Sequence, residues 1–92
     1  MPHVTKQMLG DAANVSPQTF DTHAVIEEIQ REYPQAYTRD LYRFVAHHDP
    51  ITSLHAEIGR RLLTLPFLRK TRKVPGRNIR GRRSYAQEWE RI

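Results

Sequence analysis

The spacing of apolar residues changes at Pro66, and that change limits the chain to folds that combine helices with a pair of strands. Before Pro66, Leu54, Ile58, Leu62 and Leu65 recur at helical spacing and form one buried stripe. After it, Phe67-Leu68 leads into near-alternating positions. Ser84–Trp89 reads as a strand with Tyr85, Gln87 and Trp89 on one face. Two strands, over roughly 67–74 and 82–89, then enclose a loop rich in arginine. The predicted class is α+β: three helices followed by a two-stranded β-ribbon.

The two earlier helices follow from the same reasoning. Asp21 or Thr22 caps the first, and Ile26, Ile29 and Tyr33 mark its apolar face with Val25 beside them. Pro34 breaks it, because proline lacks a donor and disfavours a helical residue before it. The second carries Tyr37, Leu41, Phe44 and Val45 on its stripe, with Arg39, Asp40 and Arg43 off it, and ends near His47-His48. Asp49-Pro50 is the turn. The third helix begins at Thr52 or Ser53 and is stopped by Pro66, with Arg60 and Arg61 on its wet side. Residues 1–18 show no sustained period and contain Gly10, Asn14, Ser16 and Pro17, so they are expected to form a flexible arm ahead of one domain over 19–92. No short strand is read between the first helices.

The ribbon is basic. Eight of the fifteen residues from Arg69 to Arg83 are Lys or Arg: Arg69, Lys70, Arg72, Lys73, Arg77, Arg80, Arg82 and Arg83. Pro75-Gly76 and Gly81 supply turn chemistry, and Val74, Ile79, Tyr85 and Trp89 give the segment apolar surface to bury. That composition distinguishes it from a solvated basic tail. Net charge divides sharply along the chain: residues 1–59 carry −4 and residues 60–92 carry +9. A segregated basic face points to a polyanion, and guanidinium forks match phosphate oxygens. No acidic neighbour lies within the run to neutralise it, which favours phosphate contact over simple solubilisation. Tyr85 and Trp89 are read as anchors of the ribbon to the helices rather than as base-stacking platforms.

Composition narrows the rest. A chain of 92 residues makes one small domain with a compact core. The absence of cysteine excludes disulfide staples and Cys-ligated zinc. No apolar run approaches the roughly 20 residues of a membrane span, and the N-terminus lacks the basic start and apolar block of a secretory signal. A cytoplasmic protein without a membrane partner is expected. His47-His48 and His55 have no ligand spacing typical of zinc, and His23 with Glu27 lacks the HExxH arrangement. Glu27 and Glu28 diverge around a helix, Ser53 and His55 form no nucleophile elbow, and Gly76 and Gly81 form no phosphate-binding glycine loop. Neither catalysis, nor a metal, nor a cofactor is expected.

The order helix, helix, helix, strand, strand with this charge placement resembles the winged-helix superfamily of helix-turn-helix proteins over about residues 20–90. The run Asn78-Ile79-Arg80-Gly81, with Ser84 and Trp89, also looks like the C-terminal ends of small uncharacterised bacterial and phage proteins. The resemblance implies a helix entering the major groove and a wing that reaches the DNA backbone or minor groove. It puts Arg60 and Arg61 on the reading helix and Arg69 through Arg83 on the wing. The third helix corresponds either to the reading helix or to a positioning helix before a shorter reading segment at 65–73. The expected function is duplex-DNA binding by a transcriptional regulator or accessory factor, with a homodimer or partner protein adding specificity. A structured-RNA binder and a protein-interaction module, such as an inhibitor of a nucleic-acid-binding machine, are the alternatives.

Overall fold

A computed structural model describes residues 2–77 and 83–92. The described chain is α+β, with helices α1 (Lys6–Val15), α2 (Thr22–Glu32), α3 (Pro34–Arg43) and α4 (Pro50–Leu62). The strands are β1 (Thr19–Asp21), β2 (Leu68–Arg77) and β3 (Arg83–Arg91). They form one antiparallel sheet in the order β1-β3-β2. Among the described residues there are thus four helices and three strands, where three and two were expected.

The additions have local causes. The expected flexible arm over 1–18 is corrected: it contains α1, capped by Thr5, whose Oγ1 accepts from the Met8 N–H at 3.1 Å. Val4, Leu9, Ala12 and Ala13 bury in the common core. The far end of α1 is closed by a residue from the other end of the chain. Arg91 Nη1 donates to the carbonyls of Ala13, Asn14 and Ser16 at 3.0, 2.6 and 2.7 Å. These are the acceptors a helix leaves open at its C-terminus, where a cation is also favoured by the dipole. Strand β1, absent from the sequence reading, pairs Phe20 with Trp89 and continues directly into α2.

Proline places the helix junctions. Helix α2 starts after Asp21, whose carboxylate accepts from Ala24 N–H at 2.9 Å, and stops at Tyr33 because Pro34 opens α3. Helix α4 begins at Pro50 behind the cap Asp49, two residues before the expected start at the nearest. It ends at Leu62 rather than running to Pro66. Helix α3 ends at Arg43 rather than near His47-His48, so Val45, expected on its buried stripe, is exposed. Asp40, expected off that stripe, has no exposed surface.

Helices cover one face of the sheet. Val25, Ile26, Ile29, Leu54, Ile58, Leu62 and Leu65 share one buried core with Trp89, which is 2% exposed. Its indole Nε1 donates to Thr22 Oγ1 at 2.9 Å, so the ring buries its apolar surface without leaving its donor unpaired.

Candidate nucleic-acid interface

Strand β2 pairs with β3 from Leu68↔Arg91 to Arg77↔Arg83. Lys70 pairs with Trp89 and Lys73 with Gln87, so Thr71 and Arg72 together face Glu88 across a β-bulge. A bulge re-aims the side chains it carries. Here both converge on one carboxylate. Thr71 Oγ1 donates to Glu88 Oε1 at 2.8 Å, and Arg72 Nε lies 3.5 Å from the same oxygen. Gln87 secures the bulge by donating from Nε2 to the Arg72 carbonyl at 3.1 Å. Beyond the Lys70–Trp89 pair, Arg69 is ion-paired with its partner residue Glu90.

The basic run has no acid within it, but the fold brings two to it from β3, Glu88 and Glu90. These acids are distant from the cations along the chain and meet them only through strand register. Lys70 and Lys73 are exposed and form no ion pair among the described residues. Strand β2 therefore carries two kinds of cation on its two faces: arginines bound to the carboxylates of β3, and lysines open to solvent on the face of Trp89 and Gln87. Arg77 and Arg83 are register partners at the ends of the strands. Their side chains, like Arg80 and Arg82, lie outside the described residues, as does the side chain of Tyr85.

Arg60 and Arg61 occupy the last turn of α4, Arg60 exposed and Arg61 half-buried. Thr52, Ala56 and Arg60 are exposed at four-residue intervals and so form a row along one helix face. They line an open groove of about 480 Å³, with Phe44, His47 and His48 contributing from the turn before α4. Of the ten residues expected to bind nucleic acid, Arg60 and Arg61 fall on the last turn of α4 and Arg69, Lys70, Arg72, Lys73, Arg77 and Arg83 on the two strands of the ribbon; Arg80 and Arg82 lie outside the described residues.

The α3–α4 turn is held from below by a charged network that the sequence reading missed. Asp40 accepts from the backbone N–H groups of His3 and Val4 at 2.6 and 2.8 Å, and from Arg43 Nε at 3.1 Å. Arg43 Nη2 then reaches Glu57 on α4 at 2.9 Å. Burial pushes the Asp40 carboxyl up, but the two backbone donors and Arg43 outweigh it and hold it below its ordinary value. The buried charge is therefore satisfied, and it ties the N-terminal segment, α3 and α4 together. His55 is held differently. Its Nε2 shares a 2.8 Å hydrogen bond with Tyr37 Oη. Burial, followed by the neighbouring His23, lowers its pKa to about 4, so it is neutral at pH 7. Among the described residues, no three His, Asp or Glu side chains converge on a point that a metal could occupy. No helix among them is long and apolar enough to cross a membrane.

No protein-family model, curated protein or solved structure matches the chain.

Proposed function

We propose that the protein is a winged-helix-type, duplex-DNA-binding protein, a transcriptional regulator or accessory factor. Ribbon β2–β3 is its wing and α4 its major-groove helix. The observation that carries this reading is the run of exposed cations along edge strand β2, with Arg69 and Arg72 on the face of Glu90 and Glu88 and Lys70 and Lys73 on the face of Trp89 and Gln87. Cations along an extended strand follow a phosphate backbone, and lysines without a carboxylate partner give up least on reaching it. Strand β1 adds support: it lies between α1 and α2, and many winged helices possess a short strand between their first helices. The α4 row Thr52–Ala56–Arg60 supplies side chains that can meet base edges, with Arg60 suited to guanine.

The groove chemistry separates DNA from RNA. A helix enters the wide major groove of B-DNA, whereas the deep, narrow groove of A-form RNA excludes it. Exposed Tyr42 and Val45, 75% and 64% accessible, give the end of α3 an apolar surface that favours a protein contact, as a homodimer or with a partner. In this reading that contact adds to DNA binding, because one small domain makes few contacts alone.

Fluorescence anisotropy with a labelled mixed-sequence duplex tests the proposal. If four or five cations reach phosphates, log affinity falls against log salt with a slope of about −4. Unlabelled duplex competes better than hairpin RNA. A hairpin that competes better moves the assignment to RNA, and no binding to either at low salt leaves the protein-interaction reading.

A further inference from the structure

The ribbon's acids bear on what it will bind. Glu90 holds Arg69, and Glu88 holds Arg72 together with Thr71. The carboxylates are the more enclosed partners, with side chains 30% and 17% exposed against 62% and 76% for Arg69 and Arg72. The acids are thus fixed in the sheet while the arginines reach outward from them. Glu88 is fixed although it faces Asp21 across β1, a like-charge pairing that a sheet disfavours. Asp21 turns its carboxylate to the Ala24 N–H at the start of α2, and Glu88 turns to Thr71 and Arg72.

We propose that Glu88 and Glu90 are guard carboxylates that set which anions the ribbon accepts, an inference that rests on the nucleic-acid reading of the same surface. Each carboxylate contacts one guanidinium nitrogen, Arg69 Nη2 or Arg72 Nε, on a group that a phosphate would also seek. A lone phosphate or a mononucleotide must displace the carboxylate from a neighbour held beside it in the same sheet. A duplex presents a charge about every 1.7 Å of its axis and, reaching over the edge strand, also meets Lys70 and Lys73 on its other face, where no carboxylate has to be displaced. Only such a dense array then draws Arg69 and Arg72 away from their acids. Exposed ion pairs are weak, so the guard is released without disrupting the sheet. The result is a ribbon that discriminates against sparse anions and holds polyanions less tightly than its count of cations implies.

The test is a charge-matched comparison on the full chain, using a labelled duplex and a heparin column. The E88Q/E90Q variant is set against E28Q/E32Q, which removes two carboxylates from around Arg31 on α2 and changes net charge equally. E88Q/E90Q is expected to bind duplex about tenfold more tightly and to elute from heparin at higher salt, beyond any gain of the control. Its salt slope steepens by up to about 2 as two arginines join the contacts. Adding R69A/R72A cancels the gain. An equal gain in E28Q/E32Q, or a gain that survives R69A/R72A, overturns the guard. If the heparin results hold while neither wild type nor variant binds duplex at low salt, the duplex reading falls and the guard stands. Should circular dichroism show the double variant unfolded, E90Q with and without R69A measures the same release at one pair.

Discussion

Asp40 has no exposed surface, yet it sits on a helix otherwise rich in exposed polar residues, and its partners explain why it is buried there. Two backbone N–H groups and one guanidinium enclose the carboxylate, so its removal strands donors rather than relieving a buried charge. Asp40→Asn is expected to cost about 1–3 kcal/mol in urea unfolding. The His3 and Val4 amides should exchange faster with solvent by the same substitution; unchanged exchange would show that the N-terminal segment is held by Val4 packing alone. The pH response separates Asp40 from His55. The Asp40 carboxyl is lowered in the folded state, so its contribution is present above its ordinary value near 3.8 and is lost as pH falls through the lower folded value. His55 is also lowered, to about 4 from 6.5, and being a base it acts over a different window. Between those values the unfolded chain takes up a proton that the folded chain refuses, so stability declines as pH falls from 6.5 towards 4. His55→Gln should flatten that part of the curve while leaving the steeper fall at lower pH. A wild-type curve that is level between pH 6.5 and 4.5 would mean that His55 protonates without resistance.

Elements were legible in proportion to the size of the side chains that bury them. Helices α2 and α4 announce themselves because Val25, Ile26, Ile29, Leu54, Ile58 and Leu62 are large and periodic. Helix α1 buries Leu9 with two alanines, carries Gly10 inside, and is closed by Arg91 from the far end of the chain. None of that leaves a local pattern. Strand β1 is three residues long, too short to show alternation, and exists because Phe20 pairs with Trp89. The candidate site divides in the same way. Charge segregation was readable, whereas the pairing of Arg69 and Arg72 with Glu90 and Glu88 depends on register and a bulge that local sequence does not specify. One element also carries a correctable weakness. Gly59 lies inside α4, and a Cβ there would meet only Thr22 Cγ2, at an ordinary 3.8 Å. Gly59→Ala should therefore stabilise by about 0.5–1 kcal/mol, since alanine loses less freedom in a helix. For a domain of this size, thermal unfolding should shift up by about 4–8 °C per kcal/mol. A downward shift would mean that α2 and α4 pack too closely at this point to admit a methyl.

At the scale of the whole molecule, the charge divides along the chain, −4 over residues 1–59 and +9 over 60–92, and the proposed duplex binding gives the two basic elements different work. The ribbon extends its cations along a strand, which suits repeated contact with a backbone that carries no sequence information. Helix α4 presents Thr52, Ala56 and Arg60 in a row, which suits base edges within a groove. The two roles separate under substitution. Lys70→Ala with Lys73→Ala should weaken binding to all duplexes nearly equally and flatten the salt slope by about 2, because two phosphate contacts are lost. Arg60→Ala should instead narrow the difference between a selected duplex and a scrambled one, by about 1–3 kcal/mol if its fork reads a guanine. Arg60, Lys70 and Lys73 are all exposed, so both variants should keep the wild-type circular dichroism spectrum and unfolding midpoint. Selection from random duplexes followed by paired titrations of the two variants measures both quantities on one set of ligands. If Arg60→Ala weakens every duplex alike and leaves the preference intact, α4 is a second phosphate contact, and sequence reading must be sought in the segment 65–73 that joins α4 to the ribbon.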